Sequence, residues 1–220
     1  MLGQPGFAMA SMGNCIFSGD LLREKLQRAH GTLHSDFGKR ILPGLLASHR
    51  MRAYDFADNV VPDLTDSADA PDGRGVGTTD AYFDAHLDTT SARPKFRLAH
   101  PEWPIYARAE LSGPAAIQDT QMNDSVVGAN CIGQGAWLQH ARLRRYVQVE
   151  NEAQLDHEIV MDRSVVGCGA RIVRAIIDKG HYTPAGEWIG IDPEQDRLRF
   201  HVRAGSLVML PRGHFSQVSA

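Results

Sequence analysis

Long hydrophobic runs and an excess of charge of either sign are both missing from this sequence of 220 residues. No apolar stretch approaches the roughly 20 residues that a membrane-spanning helix needs, and the start of the chain lacks the basic segment of a secretory signal peptide. The net charge is −3 and the pI is near 6.3, which gives no electrostatic basis for binding nucleic acid or an anionic membrane. We therefore expect no nucleic acid and no membrane among the partners.

Cysteine is scarce, and histidine shows no ligand pattern. The three cysteines, Cys15, Cys131 and Cys168, are an odd number without paired spacing. This favours a reducing, cytoplasmic setting in which the thiols are small core side chains. The ten histidines are scattered, and no pair on one element has metal-ligand spacing with a third ligand nearby. We interpret them as surface or hydrogen-bonding residues.

Common phosphate-binding loops are also missing. Neither G-x-x-x-x-G-K-S/T nor G-x-G-x-x-G ahead of a helix occurs in the sequence. Both motifs cradle phosphate with backbone amides at the start of a helix. The 220 residues therefore offer no recognisable loop for a nucleotide triphosphate.

What is present in the first half is an alternation of strand-like and helix-like segments. Apolar residues and capping residues define these segments, and an Asp-, Pro- and Gly-rich stretch over 58–75 predicts a surface loop. Such alternation predicts part of an α/β layer. The predicted elements are a strand over 8–17, a helix over 19–29 capped by Ser18, a helix with an apolar stripe from Ile41 to Leu46, a strand over 51–56, and a helix over 80–89 capped by Thr78 or Thr79.

The second half carries a ladder of mostly aliphatic residues at steps of five or six. Such a period fits neither an α-helix nor a plain strand, and it is the hexapeptide signature of a left-handed parallel β-helix, in which three short flat faces make one coil. Ordinary antiparallel strands are the alternative, but they have no reason to keep this period for so long. The ladder runs without an inserted loop. Its members are Val127, Ile132, Leu138, Leu143, Val149, Leu155, Val160, Val166, Ile172, Ile177, Thr183 and Ile189.

Several short motifs, taken in order along the chain, resemble those of one enzyme family. They are Ala10-Ser11-Met12-Gly13-Asn14-Cys15-Ile16-Phe17, Ser35-Asp36-Phe37-Gly38-Lys39, Val76-Gly77-Thr78 with Asp80-Ala81-Tyr82, Trp103-Pro104-Ile105, and Arg174-Ala175-Ile176-Ile177-Asp178-Lys179 with the segment from Pro184 to Glu194. In this order they resemble glucose-1-phosphate adenylyltransferase, also called ADP-glucose pyrophosphorylase. The resemblance covers nearly the whole chain.

The resemblance implies a domain plan. Residues 1–92 would form the C-terminal part of a nucleotidyltransferase catalytic domain, residues 93–118 a linker, and residues 119–220 the left-handed β-helix. The family's N-terminal half, with its Gly-rich nucleotide loop, a metal-binding Asp and a Glu-Lys pair, has no counterpart in these residues. The chain would then begin partway through a domain, hold no complete catalytic site and be inactive alone.

The resemblance also suggests individual site residues. Asp36 matches a carboxylate that binds Mg²⁺ in the complete enzyme, while an Asp in front of a helix is also a routine N-cap, and the two roles are compatible. Ser11 and Gly13 match a strand that lines the glucose pocket, although a strand serine is often only a filler. Lys39 could face phosphate, but a solvated helix charge is the plainer interpretation.

The resemblance also implies that sugar-phosphate activators and nucleotide inhibitors bind between the catalytic domain and the β-helix, where basic residues would pair with phosphate. Lys179 and Arg212 are the first candidates and Arg171 and Arg174 the next. For any one of them, a solvated surface charge is the simpler interpretation.

Three functions are candidates for a chain with these motifs and this ladder. The first is the C-terminal part of the adenylyltransferase, which uses glucose 1-phosphate and ATP in a homo- or hetero-oligomer. The second is a non-catalytic regulatory or scaffolding subunit that assembles with a full-length enzyme through the β-helix. The third is a hexapeptide acyltransferase with a catalytic His, for which His140 and His157 would be candidates; it leaves the Asp36 motif unexplained and is disfavoured.

Overall fold

A computed structural model describes residues 11–31, 36–58, 73–92, 94, 105–106 and 112–215. The chain divides into two compact units, residues 1–59 and residues 60–220. Within the described ranges, no helix is both long enough and apolar enough to cross a bilayer.

The first unit contains short helices. Helix α1 (Gly19–Ala29) has the predicted bounds, and Ser18 occupies its N-cap position without a capping hydrogen bond from its side chain. A π-helical turn (Phe37–Ile41) leads into α2 (Leu42–Leu45), and a 3₁₀ turn covers Phe56–Asp58. Among the described residues of this unit, the buried side chains are Ala29, Ile41 and Leu45.

Neither strand predicted for the first unit is found in its described part. Residues 11–17 and 51–55 have no regular secondary structure, and residues 8–10 of the first predicted strand lie outside the described residues. A strand exists only when a neighbour accepts and donates its backbone hydrogen bonds. No such neighbour is present among the described residues of the unit, so β-propensity alone does not produce these strands.

The second unit is dominated by the left-handed parallel β-helix, which confirms the prediction. Three flat faces alternate along each coil, and equivalent strands of successive coils pair in parallel. The strands, in chain order, are β1 (Ala116–Gln118), β2 (Gln121–Asn123), β3 (Val126–Val127), β4 (Ile132–Gln134), β5 (Trp137–Gln139), β6 (Arg142–Leu143), β7 (Gln148–Val149), β8 (Gln154–Val160), β9 (Val165–Val166), β10 (Arg171–Ile177), β11 (Tyr182–Thr183), β12 (Trp188–Ile189), β13 (His201–Val202) and β14 (Val208–Leu210).

Each face has its own stack of strands. The first face has the order β1-β4-β7-β9-β11. The second runs through β2, β5 and the first halves of β8 and β10 to β12. The third runs through β3, β6 and the second halves of β8 and β10 to β14. Strand β1 begins at Ala116, ahead of the predicted start of the β-helix at residue 119.

The ladder of inward side chains is correct except at one position. Its members from Leu138 to Ile189 are all buried, and Val127 is half-buried. Ile132, however, is 52% exposed, and its neighbour Gly133 takes the inward position, in register with Ile117 and Val149. A Cβ atom on Gly133 would lie 3.0 Å from Cδ1 of Ile117. The larger side chain of the preceding coil therefore fills the space that Ile132 was predicted to fill.

An insertion in the last coil follows the ladder, which itself runs uninterrupted from Val127 to Ile189 as predicted. Between β12 and β14 the chain forms helix α4 (Pro193–Arg199) and β13, which pairs antiparallel with β14. The Asp192 side chain caps α4 by accepting hydrogen bonds from the backbone amides of Glu194 and Gln195, at 3.0 and 3.2 Å. Proline at the first helical position needs no amide partner. A capping Asp followed by Pro was thus a readable start signal for this helix.

Helix α3 (Thr79–Asp88) packs on the third face of the β-helix. The Thr78 hydroxyl accepts a hydrogen bond from the amide of Ala81 at 3.2 Å, as an N-cap does, so the predicted helix is confirmed. Phe83 is fully buried against Ile159, Ile176 and Leu207. Arg142 donates a hydrogen bond to the Thr89 hydroxyl at the end of the helix, 2.5 Å away.

The cysteines only partly follow their prediction. Cys131 is fully buried in the β-helix core, but Cys15 and Cys168 are exposed free thiols. Cys168 lies at a turn between β9 and β10, where its backbone amide donates to the Glu150 carboxylate at 2.9 Å. Side chains at such turns leave the coil, so this cysteine does not pack inside.

Glu158 is an ionisable residue in the core of the β-helix, and it pairs in register with Ala175 of the next coil. It is fully buried, and neither carboxylate oxygen makes a well-formed hydrogen bond to the described residues. Burial raises the pKa of this carboxyl well above its ordinary value, and backbone groups of Asp156 and Arg174 offset this only in part. An unpaired buried carboxyl is expected to cost stability.

Replacing Glu158 with methionine is therefore expected to stabilise the β-helix at pH 7.5 by about 1–3 kcal/mol. Below the ordinary glutamate pKa both states are protonated and the ionisation part of the stability difference vanishes, whereas at higher pH the unfolded state ionises more readily than the folded state and gains solvation. The gain should therefore shrink between pH 7.5 and pH 4.5. Urea denaturation of Glu158→Met at both pH values measures it, with Glu152→Met at an exposed turn as the control. A gain that is equal at both pH values would contradict this explanation.

Candidate functional site

Asp36 begins the π-helical turn of the first unit, and its cap is seen directly. Its Oδ1 atom accepts a hydrogen bond from the backbone amide of Lys39 at 2.7 Å. The side chain is exposed, so the carboxylate can also meet a ligand from solvent. The structure thus shows the capping role, and the metal role stays a prediction.

Ser11 and Gly13 form a small turn rather than a strand. The Ser11 hydroxyl oxygen accepts a hydrogen bond from the Gly13 amide at 3.2 Å, and Gly13 has a φ of +80°. That left-handed φ favours glycine, and no atom lies within 4 Å of where a Cβ would be. A bare, open backbone of this kind permits close approach of a ligand.

The two predicted segments of the first unit are connected by an aromatic contact. The rings of Phe17 and Phe37 have their centroids 5.6 Å apart. Phe17 ends the motif that begins near Ser11, and Phe37 directly follows Asp36. Lys39 lies in the same turn with an exposed side chain, and its amide is the partner of Asp36. The residues that the sequence nominated for substrate and metal therefore belong to one unit and to neighbouring segments.

In the second unit, Lys179 and Arg212 lie at the same corner of the β-helix, between the third and first faces. A Cβ atom on Gly180 would lie 3.6 Å from Nε of Arg212. The turns of successive coils stack here: the amide of Arg163 donates to the carbonyl of Arg145 at 3.0 Å, and the amide of Gly180 to the carbonyl of Asp162 at 2.8 Å. We call this the basic corner, and its cations are Arg144, Arg145, Arg163, Lys179 and Arg212.

Two carboxylates of the described residues lie at the basic corner, Asp162 and Asp178, and Asp178 accepts a hydrogen bond from the Lys179 amide at 2.8 Å. Asp162 forms ion pairs with Arg144 at 3.3 Å and with Arg145 at 3.1 Å. Burial alone would raise the pKa of Asp162, but its hydrogen bonds to Arg145 and Arg144 outweigh this and hold the pKa below its ordinary value. Asp162 orders two of the cations, and the five cations outnumber the two carboxylates, so the corner keeps an excess of positive charge.

Arg171 and Arg174 are placed elsewhere on the coils. The Arg171 guanidinium lies over the Trp188 ring at 5.5 Å, in an open groove of about 610 Å³ on the second face. Arg174 turns the corner between the second and third faces, where its Nε donates to the Gly205 carbonyl at 3.0 Å and its guanidinium lies over the Phe83 ring. The structure brings together two of the four predicted effector cations, Lys179 and Arg212.

Sequence reasoning missed Arg144, Arg145 and Arg163, and it also missed a histidine pair. His140 and His157 were interpreted, like the other histidines, as surface or hydrogen-bonding residues, and the structure stacks their rings with centroids 4.4 Å apart. Both groups of residues can be found in the sequence only by using the length of one whole coil. Residues about 17 positions apart lie on neighbouring strands, as the pairing of Gln139 with Asp156 shows.

Comparisons with known proteins agree with this architecture. A family of GlmU-like, C-terminal hexapeptide domains matches residues 109–210. Curated proteins named glucose-1-phosphate adenylyltransferase are also similar. The one from Thermodesulfovibrio yellowstonii is 32% identical over 96% of this chain and 52% of its own length, the one from Cutibacterium acnes 37% over 94% and 51%, and the one from Arthrobacter sp. FB24 36% over 97% and 48%.

The chain spans about half the length of these curated relatives. The similarity extends over both compact units and is not confined to the hexapeptide repeats. The resemblance drawn from the short motifs is thereby confirmed: the chain is similar to curated glucose-1-phosphate adenylyltransferases along nearly its entire length.

Proposed function

We propose that this chain contributes a sugar-phosphate-binding segment and the β-helix of a glucose-1-phosphate adenylyltransferase. That reaction joins glucose 1-phosphate to the α-phosphate of ATP and releases pyrophosphate, and it would serve glycogen synthesis in the cytoplasm. The observation that carries the proposal is the similarity to enzymes of that name over 94–97% of the chain. Phosphoryl chemistry of this kind depends on positioning and charge stabilisation more than on covalent catalysis.

The first unit would supply the groups on the sugar side. Ser11 offers a hydroxyl and Gly13 an open backbone to the glucose ring, and Lys39 offers a charge to its phosphate. The exposed carboxylate of Asp36 suits Mg²⁺, which prefers one or two carboxylates together with substrate phosphates. Mg²⁺ would neutralise charge on the phosphates when bound. We infer that Asp36 holds the ion while its Oδ1 also keeps the turn in place.

Nucleotide binding would require residues beyond these 220. The sequence contains no recognisable phosphate-binding loop, and one carboxylate does not hold both ATP and its metal. We therefore propose that the 220 residues alone do not make ADP-glucose. The basic corner would bind phosphate-bearing effectors, through Lys179 and Arg212 with their neighbour Arg163, while Arg171 and Arg174 lie outside it.

Joining this chain to the part of the Cutibacterium acnes relative that it does not span tests the proposal. The joined polypeptide is expected to form ADP-glucose from ATP, glucose 1-phosphate and Mg²⁺, and the 220 residues alone are expected to form none. Joining the same part to residues 112–220 only is the matched control, because it keeps the β-helix and removes Ser11, Gly13, Asp36 and Lys39. A joined polypeptide that folds and binds ATP but makes no ADP-glucose would contradict the proposal.

A regulatory or scaffolding subunit is the second candidate. The β-helix favours this candidate for two reasons. Most of the buried side chains of the described residues lie in its coils, so the β-helix has a core of its own. Its outermost strand on the first face, β11, also has one edge that is unpaired within the described residues. Such edges can serve as contacts between chains. This candidate predicts that the chain co-purifies with a complete adenylyltransferase and changes its response to effectors without adding activity.

A further inference from the structure

The corner between the second and third faces collects histidine and aspartate side chains. The chain turns there at residues with left-handed φ: Asp124 at +41°, His140 at +48° and His157 at +61°. These residues follow strands that pair in register, and the His140 amide donates to the Asn123 carbonyl at 3.0 Å. The β-helix therefore places one such side chain above the next. We call Asp124, His140, Asp156 and His157 the histidine corner.

The side chains of the histidine corner already converge. The His140 and His157 rings stack with centroids 4.4 Å apart and planes inclined by 21°. The Nδ1 atom of His157 lies 2.7 Å from Oδ1 of Asp156. One ligand atom from each of His140, Asp156 and His157 lies within 4.8 Å of the others. A metal ion needs ligand atoms at about 2.0–2.2 Å from itself, so side-chain rotations would bring these three atoms onto one ion.

His140 has a nitrogen that is not satisfied by the protein. Its Nδ1 atom is buried and has no hydrogen-bond partner among the described residues. Its Nε2 atom faces Oδ2 of Asp124 at 3.6 Å. This is the arrangement of many metal-binding histidines, in which one ring nitrogen binds the ion and the other faces a carboxylate. Asp124 would then fix the ring orientation of His140.

Among the described residues, the cation next along this corner is engaged elsewhere. Arg174, the next residue along the same corner, is engaged with the Gly205 carbonyl at 3.0 Å and lies over the Phe83 ring at 5.1 Å. The four side chains of the histidine corner are between 33% and 46% exposed. The corner is therefore partly open to solvent, and rotation of the His140 ring is needed to bring its buried Nδ1 atom to an ion.

We propose that the histidine corner binds a first-row transition-metal ion of the Zn²⁺ class, with His140, His157 and Asp156 as ligands and Asp124 behind His140. Imidazole nitrogens favour Zn²⁺, Ni²⁺ or Cu²⁺, whereas Mg²⁺ and Ca²⁺ favour all-oxygen sites. Three protein ligands leave a fourth position for water. Because the ligands come from two successive coils, the ion ties those coils together. The proposal is independent of the adenylyltransferase function.

Zn²⁺ titration of the tag-free chain of 220 residues after chelator treatment tests the site. The exposed thiols Cys15 and Cys168 are replaced with serine, because thiolates also bind zinc. At pH 7.5, where histidine is mostly neutral, calorimetry is expected to show one ion per chain. His140→Asn and His157→Asn are expected to weaken binding by more than about 100-fold, and Asp124→Asn by about 10- to 100-fold, the usual effect of a residue behind a ligand.

Asparagine is chosen because it tolerates the left-handed backbone conformation of both histidines. Circular dichroism of the metal-free variants, if it matches that of the parent, shows that they fold. His201→Asn, at an exposed position on β13, is the matched control and should bind like the parent. Co²⁺ provides a second reading: a visible d–d band that His157→Asn removes and His201→Asn retains. The proposal is overturned by an absence of saturable binding, by binding that survives in His140→Asn and His157→Asn, or by equal loss in His201→Asn.

Discussion

Replacing Gly190 with alanine is expected to destabilise the β-helix by about 3–5 kcal/mol. Gly190 has a φ of +74°, and a Cβ atom there would lie 1.8 Å from the carbonyl oxygen of Val173. That oxygen belongs to strand β10, which pairs on both sides. The backbone of a paired strand cannot withdraw as a flexible side chain can, so the whole coil must shift.

Gly186 provides the matched control for this prediction. Its φ of +69° is nearly the same, but no atom lies within 4 Å of the Cβ position. Gly186→Ala is therefore expected to cost only the left-handed backbone penalty of about 1–2 kcal/mol. Urea denaturation of both variants measures the difference, which reports the clash alone. Equal losses in the two variants would show that the close approach of Gly190 to Val173 has no energetic consequence.

The central part of the fold was predictable because it follows from a period. A coil of three flat faces repeats an inward position every five or six residues, and hydrophobic side chains mark it. One position is an exception. Ile132 rather than Gly133 was predicted to point inward, because the more hydrophobic of two neighbours normally does. The structure reverses the two because Ile117 already fills that part of the core. The residue type at a single position does not show how its side chain would pack against the preceding coil.

Helices were predicted better than strands in the first unit. Helix α1 completes its hydrogen bonds within itself, so a local pattern is sufficient to define it. A strand needs a partner, and the segments over 11–17 and 51–55 have none among the described residues. Alternation of apolar residues could show that these segments favour β-structure, but it could not show whether a neighbouring strand is present.

The candidate sites were predicted in part. Asp36 was recognised as a cap from its place before a helix, and its amide partner is Lys39. The basic corner and the histidine corner, by contrast, depend on stacking between coils. Lys179 is predicted from its charge together with the family resemblance, whereas Arg163 is placed at the same corner only when residues about one coil apart are set side by side. Comparing residues one whole coil apart, rather than one ladder step of five or six residues apart, would have identified both corners from the sequence.

A second large effect is expected at Asp36, where two roles can be separated by two substitutions. Asparagine caps a helix as well as aspartate does, so Asp36→Asn should keep the hydrogen bond to the Lys39 amide and remove the negative charge. Alanine removes both and should also cost about 1 kcal/mol of stability. If the carboxylate binds Mg²⁺, both substitutions should lower the rate of ADP-glucose formation by about 100-fold, a loss typical of one electrostatic contact to the transition state.

Asp20→Asn supplies the control for the loss of a negative charge. Asp20 lies in the first turn of α1 and pairs with Arg23 at 3.0 Å on the exposed surface. Exposed pairs of this kind contribute little to stability. This variant should therefore retain both the fold and the rate of the parent polypeptide, which separates a specific role of Asp36 from a general change in charge.

The claim that the first unit carries part of an adenylyltransferase site is tested most directly by the rate of ADP-glucose formation in the joined polypeptide. The rate is measured at saturating Mg²⁺ for the parent, Asp36→Asn and Asp20→Asn. We expect a folded Asp36→Asn variant with a rate about 100-fold below the parent and an Asp20→Asn variant equal to the parent. A folded Asp36→Asn variant that retains the parent rate would show that Asp36 only caps its turn, and would contradict the account.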